Sequence, residues 1–252
     1  MLRIVSCITV SALFLMASCS DKVAKQVKIA GPEFVGNTVF ESGENLRSPK
    51  FSALIGKYKL DTAFQVSNDE FQRILLLRNW IRKNIHISDF EDNYPGGGYA
   101  DSIIDAGLAG QGYHCGHYMI VQNAVMNAFG FVTRCIGAGP GVKGGPDWHH
   151  GSNEIWSNTY HKWFMSDAKY NHHFEKDGIP LSALEIRDEY LKNGAADIRM
   201  VKGIDRMSID EDSLKDASGK FVRKTKQQFA QAYTWIEFEK QNDRNTNWPA
   251  NS

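Results

Sequence analysis

Three residues in the middle of this chain have types and an order suited to nucleophilic acyl chemistry: Cys115, then His150, then Asp167. Cys115 opens an apolar run, Met119, Ile120, Val121, Val125, Met126 and Phe129, with only Gln122, Asn123 and Asn127 polar beyond its first turn. The run reads as a largely buried helix closed at Gly130 by a left-handed cap. A thiol at such a helix start feels the aligned amide dipoles, which favour thiolate and lower its pKa from the free value of about 8.5. Gly110, Gly112 and Gly116 leave room for a substrate to approach the backbone. The Cys115 N–H, unpaired at a helix start, can point at a developing oxyanion. Gln111 and Tyr113 are both candidates for a second oxyanion donor, and spacing does not choose between them. The competing reading of Cys115 is a small buried hydrophobe, the commoner fate of a lone cysteine on an apolar helix.

The elements after this helix must bring a base and a carboxylate to it. Phe131 to Ile136 reads as a strand by its β-branched content, and Gly137 to Asp147, rich in glycine and proline, as a loop. In the segment His149 to Trp156, period two puts His150, Ser152, Glu154 and Trp156 on one face; in Lys162 to Asp167 it puts Trp163, Met165 and Asp167 together. A tight hairpin centred on Asn158-Thr159 sets His150 opposite Asp167 and Glu154 opposite Trp163, although Asn-Thr leaves the turn type open. Directly opposed side chains have Cβ atoms roughly 5 Å apart, close enough for a carboxylate to hold an imidazole tautomer. Tyr99, Trp148 and Trp163, beside these segments, are the candidate substrate-cleft residues.

The order Gly-x-x-Cys on a buried helix, then His-x-x-x-Glu-hydrophobic-aromatic, then Trp-x-x-x-Asp, resembles the transglutaminase-like superfamily of papain-like folds. The resemblance runs from about Ile74 to Asn171 and includes the helix segment Trp80 to Ile85 and the turn Asn127 to Phe131. It implies an α+β fold with a nucleophile helix packed on an antiparallel sheet. It also implies Cys115 as nucleophile, His150 as general base and acid, and Asp167 as orienting carboxylate. The activity implied is acyl transfer at an amide bond through a thioester, with hydrolysis of a peptide or other amide favoured over amine transfer, and with no cofactor. Ser152 stands where the family often has an aromatic, and Ala168 where it commonly has proline; these departures bear on substrate preference.

Two other readings compete. His114, Cys115, His117, His149, His150, His161, His172 and His173 are a ligand-rich set for a zinc-dependent hydrolase. Adjacent strand residues point to opposite faces, however, so His149 and His150 are not expected to ligate together, and the spacing has no recognised zinc pattern. His114, His117 and His149 are therefore expected to be bystanders, and His172 and His173 surface or rim residues. The other rival is a non-catalytic transglutaminase-like lipoprotein that binds peptide or glycan through its aromatic residues.

The whole chain, 252 residues with 42% hydrophobic content and a formal net charge of zero, fits a globular protein without a nucleic-acid partner. Arg3 and the apolar run to Ala17 form an export signal, and Leu15 to Cys19 resembles the lipobox of bacterial lipoproteins, with Met16 where leucine is usual. The expected organisation is a signal over 1–19, a tether over 20–31, a transglutaminase-like core over 32–175 with a helical cover, and a C-terminal extension over 176–252. Cys19 would carry the lipid, and the protein would sit in the cell envelope. Cys115 and Cys135 are then left, and the intervening helix is expected to hold them too far apart for a disulfide.

The remaining expectations are structural. Ser67 to Glu70 forms a capping box for a core helix carrying Phe71, Ile74, Leu75, Ile81 and Ile85. Asp101 to Ala109 is a short helix with Ile103, Ile104 and Leu108 inward, and Ile179 to Leu191 another helix. Ser208 to Ser218 is turn-like, and Tyr233 to Phe238 is a late strand available to the sheet edge.

Overall fold

The computed structural model describes residues 41–88, 99–141, 149–215, 221–239 and 241–242. The proposed signal, tether and Cys19 lie outside them, as do the glycine stretch before Tyr99 and Trp148.

The first half is helical: β1 (Glu41–Ser42), α1 (Pro49–Tyr58), α2 (Asp61–Phe64), α3 (Glu70–Asn84), β2 (His86–Ile87), α4 (Ala100–Leu108), β3 (Gly112–Tyr113) and α5 (Cys115–Ala128). Ile74, Leu75, Leu77 and Ile81 of α3, Ile103 and Ile104 of α4, and Val121 and Val125 of α5 are fully buried in one cluster. Each such side chain contributes about 1.5–3 kcal/mol by leaving water. On α4 the inward face is Ala100, Ile103, Ile104 and Gly107, while Leu108 is 53% exposed, contrary to expectation. Gly107 takes the inward position because a Cβ there would meet Ile85 Cγ1 at 3.1 Å.

The start of α3 also differs from expectation. Asp69, not Ser67, is the N-cap, accepting from the Gln72 N–H at 2.7 Å. Glu70 is thereby released from a capping box and reaches across the molecule, as described below. The end of α5 is as expected: Gly130, at φ 82°, donates to Asn127 O and Phe131 N–H to Met126 O, a Schellman closure.

The second half supplies the sheets: β4 (Thr133–Gly139), β5 (His150–Ser157), β6 (Lys162–Ser166), β7 (His172–Lys176), β8 (Ile179–Pro180), α6 (Ala183–Asn193), β9 (Arg199–Lys202), β10 (Met207–Ile209), β11 (Glu211–Lys215), β12 (Phe221–Thr225), α7 (Lys226–Gln231), β13 (Trp235–Phe238) and β14 (Gln241–Asn242). The central sheet is antiparallel in the order β13-β4-β5-β6, and the late strand does form its edge. β4 runs on through Gly137, Ala138 and Gly139, which had read as loop, because β5 and β13 pair with it on either side. A second sheet, β10-β9-β7-β8, and the hairpin β11-β12 occupy stretches without a readable period, including the supposed turn after Ser208.

The central sheet divides two cores. Gly151, Ile155 and Phe164 face α5. Met165 faces the second cluster, with Phe174, Leu181, Met200, Phe229 and Tyr233. Glu154, also on that side, pairs with buried Arg134 and accepts from Ala183 N–H at 2.7 Å at the start of α6. A carboxylate at a helix start is favoured by the dipole, so this pair ties the histidine strand to the second layer.

Candidate active site

Cys115 is the first residue of α5 and is 9% exposed. His114 caps the helix: its Nδ1 accepts from Gly116 N–H at 3.1 Å, which leaves the ring proton on Nε2. Gly116 is required beside it, since a Cβ there would sit 3.0 Å from His114 Cε1. The thiol is hydrogen-bonded to His114, His149 and His150. Burial alone would raise its pKa; these bonds and the His150 charge overcome that and hold it far below the usual thiol range.

His150 opens β5. Its Nε2 lies 2.7 Å from Asp167 Oδ2, which leaves Nδ1 for the thiol. Burial lowers the imidazole pKa, but Asp167 and the thiolate outweigh it and raise the value to about 9. Asp167, 1% exposed, is raised by burial and lowered more by His150, His172 and the Tyr170 N–H, ending near 2. Two tyrosines fix the His150 ring: Tyr170 stacks on it at 5.7 Å, and Tyr233, from the C-terminal segment, meets it edge-on at 6.3 Å.

The hairpin register is not the expected one. Glu154 lies opposite Met165, and Trp156 opposite Trp163, a shift of two residues that follows from the wider turn between Ser157 and Lys162. A shift of two preserves the faces, so His150 still meets Asp167, now diagonally. Trp163 does not survive as a cleft residue. It sits opposite Trp156, about 20 Å along the strand from His150, and is buried against Trp156 and Arg134.

Several side chains hold Asp167 in place without having been legible as site residues. Gln122, on the same face of α5 as Cys115, donates to Ser166 Oγ at 2.7 Å and accepts from Ala168 N–H at 3.1 Å, gripping both neighbours of Asp167. A polar residue seven positions along an apolar helix from Cys115 is the available signal. Asp167 Oδ1 accepts from Tyr170 N–H at 3.1 Å, and the backbone of Asp167 bridges that of His172. Arg78, wholly buried on α3, donates to Asn171 Oδ1 at 3.0 Å and contacts His173 Nδ1 at 3.1 Å. Glu70 holds the far end of the hairpin, accepting from the Asn158 and Thr159 N–H groups at 3.0 and 2.8 Å and from three side chains.

Gln111, half-buried, donates to Gly112 O at 3.2 Å in the approach to α5. Tyr113 is fully buried in the first core with its ring 4.7 Å from His117, so its side chain does not face a substrate. Tyr99 is the half-buried N-cap of α4. His172 and His173 are not rim residues; both are 0% exposed. His149 and His114 are not bystanders, because both reach the thiol; His149 precedes β5, so strand alternation does not turn it away. Cys135 is a buried free thiol, as Cys115 is, and no disulfide joins them. Among the described residues, no group of three or more His, Cys, Asp or Glu is arranged to hold a metal ion.

A cavity of about 410 Å³ lies beside His149, lined also by Met119, Cys135, Gly137, Gly151 and Glu237 among others. Gly137 and Gly151 lie directly opposite each other on the α5 face of the sheet, and a Cβ on Gly151 would already touch Gly116 Cα and Met119 Sδ at 3.4 Å, so the glycine lets the start of α5 pack close on β5.

No family model matches the chain. No curated protein matches it either. Among solved structures it is similar to "a Putative Cysteine Protease from Cytophaga hutchinsonii", with 14% identity and a TM-score of 0.38 over 75% of this chain. The chain spans about half of that protein's length, 50%.

Proposed function

We propose that this protein is a cysteine-dependent acyl-transfer enzyme that hydrolyses a peptide or other amide bond, with Cys115 as nucleophile, His150 as acid and base, and Asp167 as the carboxylate that orients His150. The observation that carries this reading is the 2.7 Å contact of His150 Nε2 with Asp167 Oδ2 while the same ring bonds the Cys115 thiol. The depressed thiol and raised imidazole pKa correspond to a thiolate–imidazolium pair at neutral pH.

In this mechanism the Cys115 thiolate attacks the amide carbonyl carbon. The oxyanion is received by the Cys115 N–H at the start of α5, with Gln111 the candidate for a second donor. His150 gives its proton to the leaving amine as the C–N bond breaks, and a thioester remains. Water, deprotonated by His150, attacks the thioester; the acid product leaves and the thiolate returns. The transglutaminase-like fold assignment belongs to this proposal and is supported by the order cysteine helix, histidine strand, aspartate strand. So does export with a lipid on Cys19, supported by the first nineteen residues alone; the mass of the mature N-terminal peptide tests it.

The enzymatic reading is tested by iodoacetamide alkylation of Cys115 against pH, located by peptide mapping. Rapid labelling several pH units below about 8.5, slowed in His150→Ala, is expected. Labelling that rises only near the ordinary thiol pKa in both proteins would refute the nucleophile assignment.

A further inference from the structure

We propose that His149 is a second catalytic residue at Cys115, an imidazole that stays on the sulfur while His150 serves the substrate, and that Glu237 backs it as Asp167 backs His150. This deepens the acyl-transfer reading and rests on it. Two neighbouring imidazoles bond one thiol, and they come to it from different surroundings. The His150 side chain is 14% exposed and is enclosed by Asp167, Tyr170 and Tyr233. His149, just before β5, is exposed. Of the three histidines on the thiol, it is the one in the wall of the cavity of about 410 Å³.

The backing carboxylate comes from the edge of the sheet. Glu237 on β13, Gly137 on β4 and Gly151 on β5 form one row across three strands. The Glu237 Oε2 lies 3.8 Å from where a Gly137 Cβ would stand, which puts the carboxylate on the face of the sheet that α5 covers. At the other end of the row, a Cβ on Gly151 would stand 3.5 Å from the Cys115 carbonyl carbon. His149 is two residues before Gly151 and lines the same cavity as Glu237. The bond to the thiol raises the His149 pKa, burial and the His150 charge oppose the rise, and Glu237 adds to it. Charged imidazoles at adjacent positions repel, so each gains from a counter-charge of its own. Asp167 follows β6 and Glu237 belongs to β13, the two edge strands, so the carboxylates approach the pair from opposite sides. When His150 gives its proton to the leaving amine, His149 remains beside the sulfur. When the thioester breaks and charge returns to the sulfur, that donor is already in place.

The test is iodoacetamide alkylation of Cys115 against pH, located by peptide mapping, in wild type, His149→Ala, Glu237→Gln, His150→Ala and the variant lacking both histidines. His149 and Glu237 are exposed, so neither change opens a core. In His149→Ala the profile should move to higher pH by about one unit, the effect of losing an opposite charge beside the sulfur. Glu237→Gln should move it the same way by roughly a few tenths of a unit, as befits an exposed charge pair. His150→Ala should keep part of its labelling below about pH 8, and removing His149 as well should abolish that part. A His149→Ala profile that falls in rate without moving in pH, or does not change, would overturn the proposal and leave the acyl-transfer reading in place. A shift in His149→Ala with none in Glu237→Gln would overturn the role of Glu237. Wild-type labelling that rises only near the ordinary thiol pKa would overturn the acyl-transfer reading and this proposal together.

Discussion

At the scale of single residues, the proposed chemistry depends on Asp167 keeping His150 charged and aimed. The carboxylate accepts at Oδ2 from His150 and at Oδ1 from the Tyr170 N–H, so both oxygens are committed to fixed donors. Asp167→Asn removes the charge that raises the imidazole pKa to about 9 and offers an amide donor in its place. The His150 pKa then falls, the imidazolium that lowers the Cys115 pKa is lost at neutral pH, and the thiol pKa rises. The alkylation profile of Cys115 should move to higher pH by at least one unit, and amide cleavage at neutral pH should fall by about 10²–10⁴-fold. A profile that does not move would assign Asp167 a purely structural role. The shared face of His150 and Asp167 is legible in the sequence, because alternation in a strand assigns faces without any knowledge of the fold. His149 lies one residue before β5, where alternation no longer assigns a face.

At the scale of elements, the hairpin β5-β6 is the part that carries two of the three groups, and it is held at both ends. Gln122 of α5 grips the strand on either side of Asp167, and Glu70 of α3 collects donors from the turn. Burial tends to raise the Glu70 pKa, but the Asn158 and Thr159 bonds dominate and lower it, so the group is ionised at neutral pH. Glu70→Ala leaves the turn amides to water and should cost about 1–3 kcal/mol of stability, read from the urea midpoint. Hydrogen exchange of the Asn158 and Thr159 amides should accelerate in the same variant; unchanged exchange would show that the turn holds itself. None of this was visible in the sequence. The Ser67-to-Glu70 spacing matches a capping box, yet Asp69 wins the N-cap and frees Glu70 for partners more than eighty residues away.

At the scale of the whole molecule, buried histidines make stability sensitive to acid. His172 is packed among Tyr170, Phe174 and Phe229, and neither ring nitrogen has a hydrogen-bond partner among the described residues. Burial pushes its pKa down from 6.5 to about 3, with Asp167 opposing and Arg78 adding to the shift. Between those values the unfolded chain binds the proton and the folded chain does not. The contribution is therefore full above about pH 6.5 and is lost as pH falls. From this group the loss should reach roughly 3 kcal/mol by about pH 4, with His173 and His117 acting in the same direction. Urea unfolding at neutral and acid pH measures the slope, and His172→Phe should flatten it. A slope equal in both proteins would place the acid sensitivity elsewhere.

The sequence by itself determined the helix that Cys115 opens, the Gly130 closure and the late strand, because each follows from local periodicity, capping or turn chemistry. It also determined that His150 and Asp167 share a sheet face, a property that survives a slip of two residues. Only the tertiary structure decided the hairpin register, the burial of His172 and His173, the service of Arg78, Gln122 and Glu70, and the approach of His114 and His149 to the thiol. These depend on contacts between residues far apart in the chain, where packing and unpaired polar groups select partners that no local pattern encodes. The apposition of Gly137 with Gly151 is of the same kind: Gly137 alone reads as loop, and only the pairing of β4 with β5 sets it opposite Gly151, which lies against the start of α5.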